Sequence, residues 1–118
     1  VAWPVEYGGG GLTALEQYIF SEEARRVNAP LPMITLNTVG PTLIQFGTEE
    51  QKSKFLPAIL KGTVEFAIGY SEPGAGSDLA SLRTTAVRDP GSGGDDYIVN
   101  GQKTWTTMAQ YADWGFFL

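Results

Sequence analysis

Hydroxyls and carboxylates crowd one short stretch of this chain, Gly69-Tyr70-Ser71-Glu72-Pro73-Gly74-Ala75-Gly76-Ser77-Asp78-Leu79-Ala80-Ser81. A packed core has no use for that composition, which forgoes burial and leaves backbone polar groups without regular partners. Gly74 and Gly76 let the main chain turn tightly or approach a ligand closely, and the serine hydroxyls can meet polar ligand atoms. Read by itself, the stretch is either a ligand-holding loop leaving the end of a strand or an ordinary Gly/Pro/Ser turn. Spacing rules out two phosphate-binding loops. Gly69 and Gly74 have the outer spacing of the Walker loop, but Ala75 and Gly76 stand where Lys and Ser/Thr are required. The dinucleotide fingerprint fails because no third glycine follows Gly76 at the required distance.

Composition narrows the chemistry further. The chain has 118 residues, enough for one modest domain with a real core, and 42% of them are hydrophobic, as in ordinary globular proteins. No run approaches the roughly 18 apolar residues of a membrane span. A net charge of −5 argues against a general nucleic-acid surface. Cysteine is absent, which excludes disulfides and thiolate metal sites, and histidine is absent too, which excludes Ser-His-Asp and Cys-His catalysis within the chain. Carboxylate-only metal sites are the kind left over, and no metal is assigned. The chain opens at Val1 and closes inside the apolar run Trp114-Gly115-Phe116-Phe117-Leu118, so it is expected to be an excerpt of a longer protein.

The elements that must position the loop follow from periodicity. Val1 to Gly11 is too glycine-rich for long regular structure, and Trp3 and Tyr7 are expected to anchor a surface loop. Leu12, Leu15, Ile19, Phe20, Ala24 and Val27 recur at three- and four-residue spacings and predict a helix ended by Asn28 through Pro32. A second helix is predicted from about Met33 to Phe46, with Leu36, Val39, Leu43 and Phe46 in one stripe, a kink at Pro41 and Gly47 as its cap. Thr48-Glu49-Glu50-Gln51 reads as a capping box opening a third helix, which carries Phe55, Leu56, Ile59 and Leu60. Pro57 is expected to split that helix, and Gly62 to stop it. Beyond Gly62 the period changes. Strands are predicted at Val64–Ser71, Arg83–Arg88, Asp96–Val99 and Gln102–Thr107, with a long hairpin loop over Asp89–Asp95 and a two-residue hairpin at Asn100-Gly101. The fold class is α+β, a helical segment followed by an antiparallel sheet or barrel portion, with two halves meeting near residue 64.

Strand alternation adds one spatial expectation. Residues two apart share a face, so Trp105 and Thr107 should point the same way, a flat apolar ring beside a hydroxyl. If that strand lies near the one ending at Ser71, hydroxyls and an aromatic face surround the mouth of the glycine loop. A planar heteroaromatic cofactor needs such a setting, although a core aromatic on a sheet would account for Trp105 alone.

Four ordered motifs resemble those of one family. Trp3-Pro4-Val5-Glu6-Tyr7-Gly8-Gly9, then Gly47-Thr48-Glu49-Glu50-Gln51-Lys52 with Phe55-Leu56-Pro57, then Ser71-Glu72-Pro73-Gly74-Ala75-Gly76-Ser77-Asp78, and finally Asn100-Gly101-Gln102-Lys103-Thr104-Trp105-Thr106-Thr107 are similar to the landmarks of the acyl-CoA dehydrogenases. The resemblance covers nearly the whole chain, and Tyr70 departs from the small aliphatic usual before the signature. It implies that residues 1–63 are part of an N-terminal α-helical domain and residues 64–118 the first part of a middle β-domain. It also implies FAD as cofactor, with Ile68, Gly69, Tyr70, Ser71, Gly76, Ser77, Trp105, Thr106 and Thr107 at the flavin. Ser71 would lie near the pyrimidine end, Trp105 against the isoalloxazine, Thr107 near N5 and Ser77 at the CoA thioester, while Glu72 and Asp78 look like loop-fixing carboxylates.

The implied chemistry is α,β-dehydrogenation in lipid metabolism such as fatty acid β-oxidation. A carboxylate takes the α proton, and the β hydrogen leaves as hydride to the flavin. That base belongs to a later helical domain in the family, so no residue here is assigned the catalytic role, and these residues by themselves are expected not to turn over acyl-CoA. Implied partners are an acyl-CoA substrate, an electron-accepting flavoprotein and further subunits of a homo- or hetero-oligomer, in a bacterial cytoplasmic setting. The signature and Gln110-Tyr111-Ala112-Asp113 also resemble bacterial members acting on bulky CoA thioesters such as steroid side chains. Acyl-CoA oxidases, related flavin monooxygenases, a non-catalytic partner subunit and a non-flavin binding module are the alternatives.

Overall fold

Thr13 and Thr48 start the two longest helices by the same device. In the computed structural model, which describes residues 1–94 and 96–118, helix α1 spans Ala14–Arg26 and helix α3 spans Glu49–Leu60. At each start the threonine hydroxyl accepts from the N–H three residues on. The Glu16 and Gln51 side chains in turn accept from the threonine N–H, at 2.8 and 2.9 Å. The box at Thr48 agrees with the sequence reading; the one at Thr13 shifts the expected start of α1.

Between them, residues 33–46 are helical throughout, as expected, but the feature at Pro41 is not a simple kink. A π-helix covers Thr35–Val39 and runs into helix α2, Gly40–Phe46. The Gly40 N–H reaches back to the Thr35 carbonyl, and Pro41 has no N–H to offer the next one, that of Leu36. The Trp3 indole fills the gap, with Nε1 donating to the Leu36 carbonyl at 3.2 Å. Trp3 is buried, and a side chain at Gly40 would run into its ring, so the glycine is what lets the indole lie against the helix. Trp3, Leu36, Val39, Leu43, Leu56, Ile59 and Phe66 form the core.

Three expectations for the helices are corrected. Pro57 does not split α3, because it lies with Ser53 on the exposed side, where the carbonyl it leaves unbonded faces water. The apolar stripe of α1 is not buried: Leu15, Ile19, Phe20 and Val27 are exposed, and the helix meets the body through Gln17, which accepts from the Ala2 N–H at 2.8 Å. Phe46 is exposed while the rest of its stripe packs inward, and Gly47 caps α2 in an extended rather than a left-handed conformation.

The second half contains strands β1 (Phe66–Gly69), β2 (Thr85–Arg88), β3 (Tyr97–Asn100) and β4 (Trp114–Phe117). β2 and β3 are antiparallel, Thr85 opposite Asn100 and Arg88 opposite Tyr97, as the long hairpin loop predicts; Asp95 of that loop lies outside the described residues. β1 instead pairs in parallel with β4, Phe66 beside Trp114 and Gly69 beside Phe117. Gln102–Thr107 is not a strand, so Asn100-Gly101 joins no hairpin and the alternation argued for Trp105 and Thr107 does not apply. The chain remains α+β, with two small sheets and no closed barrel among the described residues.

The two halves are tied at Thr35, which is fully buried. Its Oγ1 accepts from the Phe66 N–H at 3.0 Å and lies 2.8 Å from the Glu65 carboxylate. Among the described residues no helix is long and apolar enough to cross a membrane.

Candidate functional site

β1 delivers the loop. Ile68 and Gly69 are its last residues, and Tyr70 follows half-buried, its ring 6.2 Å from that of Phe116. Glu72 and Ala75 exchange backbone hydrogen bonds of 2.7 and 3.1 Å, which folds Pro73-Gly74 into a tight turn. Gly76 and Ser77 then run exposed to a 3-10 turn, Leu79–Ser81, where Ser81 Oγ donates to the Asp78 carbonyl at 2.8 Å.

The Glu72 carboxylate is the hub of the region. It accepts from the Thr84 hydroxyl at 2.6 Å, the Thr84 N–H at 2.8 Å, the Arg83 N–H at 2.9 Å and the Lys103 ammonium at 3.1 Å. These bonds favour the ionised form, that from the Thr84 hydroxyl most of all, and pull the Glu72 carboxyl down to about 2 from an ordinary 4.5. Lys103 Nζ also donates to the Tyr70 carbonyl at 3.0 Å. Glu72 is therefore the loop-fixing carboxylate that the motif suggested. Asp78 contributes only its carbonyl to the described bonding of its turn.

Residues 103 and 104 carry the next segment alongside. The Thr104 N–H donates to the Ser71 carbonyl at 2.9 Å, so the residue after Thr104 lies close to the end of β1. That residue is Trp105, 86% exposed and held at a left-handed φ of 58°. Thr107 Oγ1 donates to the Trp105 carbonyl at 3.4 Å, and residues 106–112 form turns that return the chain to β4. Asp113 closes the circuit: its carboxylate accepts from the Glu65 N–H and its own N–H donates to the Glu65 carbonyl, both at 2.9 Å.

The structure thus sets Gly69, Tyr70 and Ser71 beside residues 103 and 104, and so next to Trp105, by an extended segment rather than a strand; no described hydrogen bond joins Ile68, Thr106 or Thr107 across that seam. Gly76 and Ser77 lie on the loop, with no hydrogen bond to the Trp105 segment among the described residues. Sequence reasoning gave Lys103 and Thr84 no role. The signal was present for Lys103: it is the one charged residue between Asp96 and Asp113, in a stretch otherwise free of charge. Thr84 carries no such mark.

Family models of the acyl-CoA dehydrogenase N-terminal domain and the acyl-CoA dehydrogenase middle domain match residues 1–63 and 67–118. The chain belongs to the acyl-CoA dehydrogenase family. It is 63% identical over 114 residues to acyl-CoA dehydrogenase FadE29 of Mycobacterium tuberculosis, covering 97% of this chain and 28% of that protein. The acyl-CoA dehydrogenase fold is seen at a TM-score of 0.90 and 57% identity in the ChsE4-ChsE5 complex from Mycobacterium tuberculosis, over 98% of this chain and 29% of that one. The Tcur3481-Tcur3483 steroid ACAD is similar at a TM-score of 0.89 and 52% identity, over 98% of this chain and 29% of that one. The chain spans about 28% of the length of the first curated relatives it matches.

Proposed function

We propose that this chain supplies the flavin and thioester contacts of an FAD-dependent acyl-CoA dehydrogenase, with residues 1–63 in its N-terminal helical domain and 64–118 beginning its middle β-domain. The observation that carries this reading is the setting of Trp105, a large ring left 86% exposed one residue after the amide that bonds Ser71. An aromatic side chain so placed has no packing role of its own, and a planar ring would cover it. The donor set suits a flavin as well. The Ser71 and Ser77 hydroxyls have no hydrogen-bond partner among the described residues, and Thr107 has only its weak local one.

FAD, when bound, supplies the acceptor for a hydride leaving the β carbon of the substrate. The chain's own part is to hold. Ser71 would take the polar end of the ring, Trp105 would wall one face, Thr107 would hydrogen-bond near N5, and Ile68 through Tyr70 with Gly76 and Thr106 would complete the lining, while Ser77 would meet the thioester. No residue here serves as the base, which the family resemblance places in later sequence. A bulky acyl group such as a steroid side chain is the substrate class, supported by the likeness to the steroid ACAD. A flavoprotein takes the electrons, and the bacterial cytoplasm is the setting.

The test is the full-length protein. It should purify yellow, and anaerobic addition of a steroid-side-chain CoA thioester should bleach the flavin faster than a straight-chain thioester does. A colourless protein that takes up no FAD defeats the reading; rapid peroxide formation moves it to an oxidase. A second reading, a non-catalytic partner subunit, is favoured by the likeness to a chain of the two-component ChsE4-ChsE5 complex. A flavin that fills but never bleaches without a second subunit would select it.

A further inference from the structure

We propose that Lys103 and Glu72 form a positioning lock, which fixes Trp105 against the Ser71 end of β1 and so sets how tightly, and in what electronic environment, the flavin is held. This rests on the flavin reading above. The two side chains are only 8% and 9% exposed, 3.1 Å apart, where residues 70–72 meet the chain just beyond the paired end of β2 and β3, at Thr85 opposite Asn100. The Lys103 ammonium bonds the Tyr70 carbonyl, the Glu72 carboxylate bonds the Arg83 and Thr84 amides, and Thr104 bonds Ser71. The ion pair therefore ties residues 70–72 to the end of the β2–β3 pair, reinforcing the Thr104 amide bond to Ser71. A methyl group at Gly69 would run into the Phe117 ring and also approach the Lys103 stem to 3.2 Å, so the glycine lets both side chains lie against the strand end.

Beyond the Thr104 amide bond to Ser71, little holds Trp105. Its ring is solvent-exposed, its backbone sits in a conformation unfavourable for a side-chain-bearing residue, and Thr107 offers only a 3.4 Å bond. A buried ion pair is a poor source of stability compared with apolar packing, but it tolerates one register and no other. Lys103 and Glu72 are thus positioning residues: they act on the cofactor through Trp105 and Ser71.

The experiment uses the full-length protein as wild type, Glu72→Gln, Lys103→Met, Lys103→Arg and the double variant Glu72→Gln/Lys103→Met. FAD dissociation constants, the absorption band and reduction potential of bound flavin, and thermal unfolding of the flavin-free protein are measured for each. Glu72→Gln and Lys103→Met are expected to weaken FAD binding by about tenfold, as loss of an outer partner behind a binding residue does, and to move the potential. Lys103→Arg should recover most of the affinity. The double variant leaves no unpaired buried charge, and its glutamine oxygen can still accept from the Arg83 and Thr84 amides, so it should unfold near the wild-type temperature and still bind FAD weakly. Wild-type affinity and potential in the double variant overturn the proposal, as do losses that follow the unfolding temperature with Lys103→Arg no better than Lys103→Met. If the wild type binds no FAD, the flavin reading fails on its own. The lock is then decided by amide exchange over residues 103–107, where faster exchange in the variants supports it and unchanged exchange overturns it.

Discussion

Trp3 Nε1 donates to the carbonyl of Leu36 at 3.2 Å, taking the place of an amide that Pro41 does not have. An N-terminal loop residue thereby completes the bonding of a helix 33 positions later in the chain. Trp3→Phe keeps the ring and deletes the donor, leaving a buried carbonyl unpaired. It should cost about 1–3 kcal/mol in urea unfolding of the full-length protein. Gly40→Ala should cost a similar amount, about 1–3 kcal/mol, by forcing the indole out of its place.

Thr35 joins the helices to β1 through one hydroxyl. Thr35→Val preserves shape but strands the Phe66 N–H, and should lose about 1–3 kcal/mol, read by the same denaturation. Thr35→Ser retains the oxygen and should recover most of that loss. If the two variants unfold alike, the hydroxyl is not what ties the halves together.

The acid sensitivity of the glycine loop has a definite sign. The Glu72 carboxyl titrates at about 2 in the folded chain against 4.5 ordinarily, so its stabilising contribution is fully present above pH 4.5 and is lost as pH falls towards 2. Stability measured across that window should fall in the wild type and fall less in Glu72→Gln, which starts weaker at neutral pH. An equal slope in both would remove Glu72 as the titrating group.

Trp105 separates holding a ligand from holding the fold. Glycine accepts a φ of 58° without the penalty a tryptophan meets, so Trp105→Gly should leave the flavin-free protein at least as stable as the wild type. FAD affinity should nevertheless fall by about tenfold, or roughly 1.4 kcal/mol, with the loss of an aromatic wall. Calorimetric unfolding and a flavin titration on the same two proteins give both numbers.

Local chemistry was legible in the chain, and distant pairing was not. The Thr48 box needs only residues three positions apart, and Trp3 stood out as an apolar anchor beside glycines. Glu72 as loop-fixing carboxylate followed from its motif, whereas its partners Thr84 and Lys103 lie 12 and 31 positions away. Gln102–Thr107 was misread because threonine and tryptophan are strand-favouring types, when the Thr104 amide and the Lys103 ammonium are committed to residues 70–72 instead. Trp114–Phe117 passed as an apolar run without an element because its partner strand lies far back in the sequence. Pro57 misled because a sequence does not say which side of a helix faces water.

That last pairing fixes an order of events during synthesis. β1 and β4 begin at residues 48 positions apart, joined by Glu65 and Asp113, and everything between them must be looped out before the first bond can close. The helical half can settle as soon as its own residues leave the ribosome, while β1 waits with one edge bare until Trp114 through Phe117 have followed. A nascent chain stalled before that point would display an unpaired apolar strand, a surface prone to aggregate.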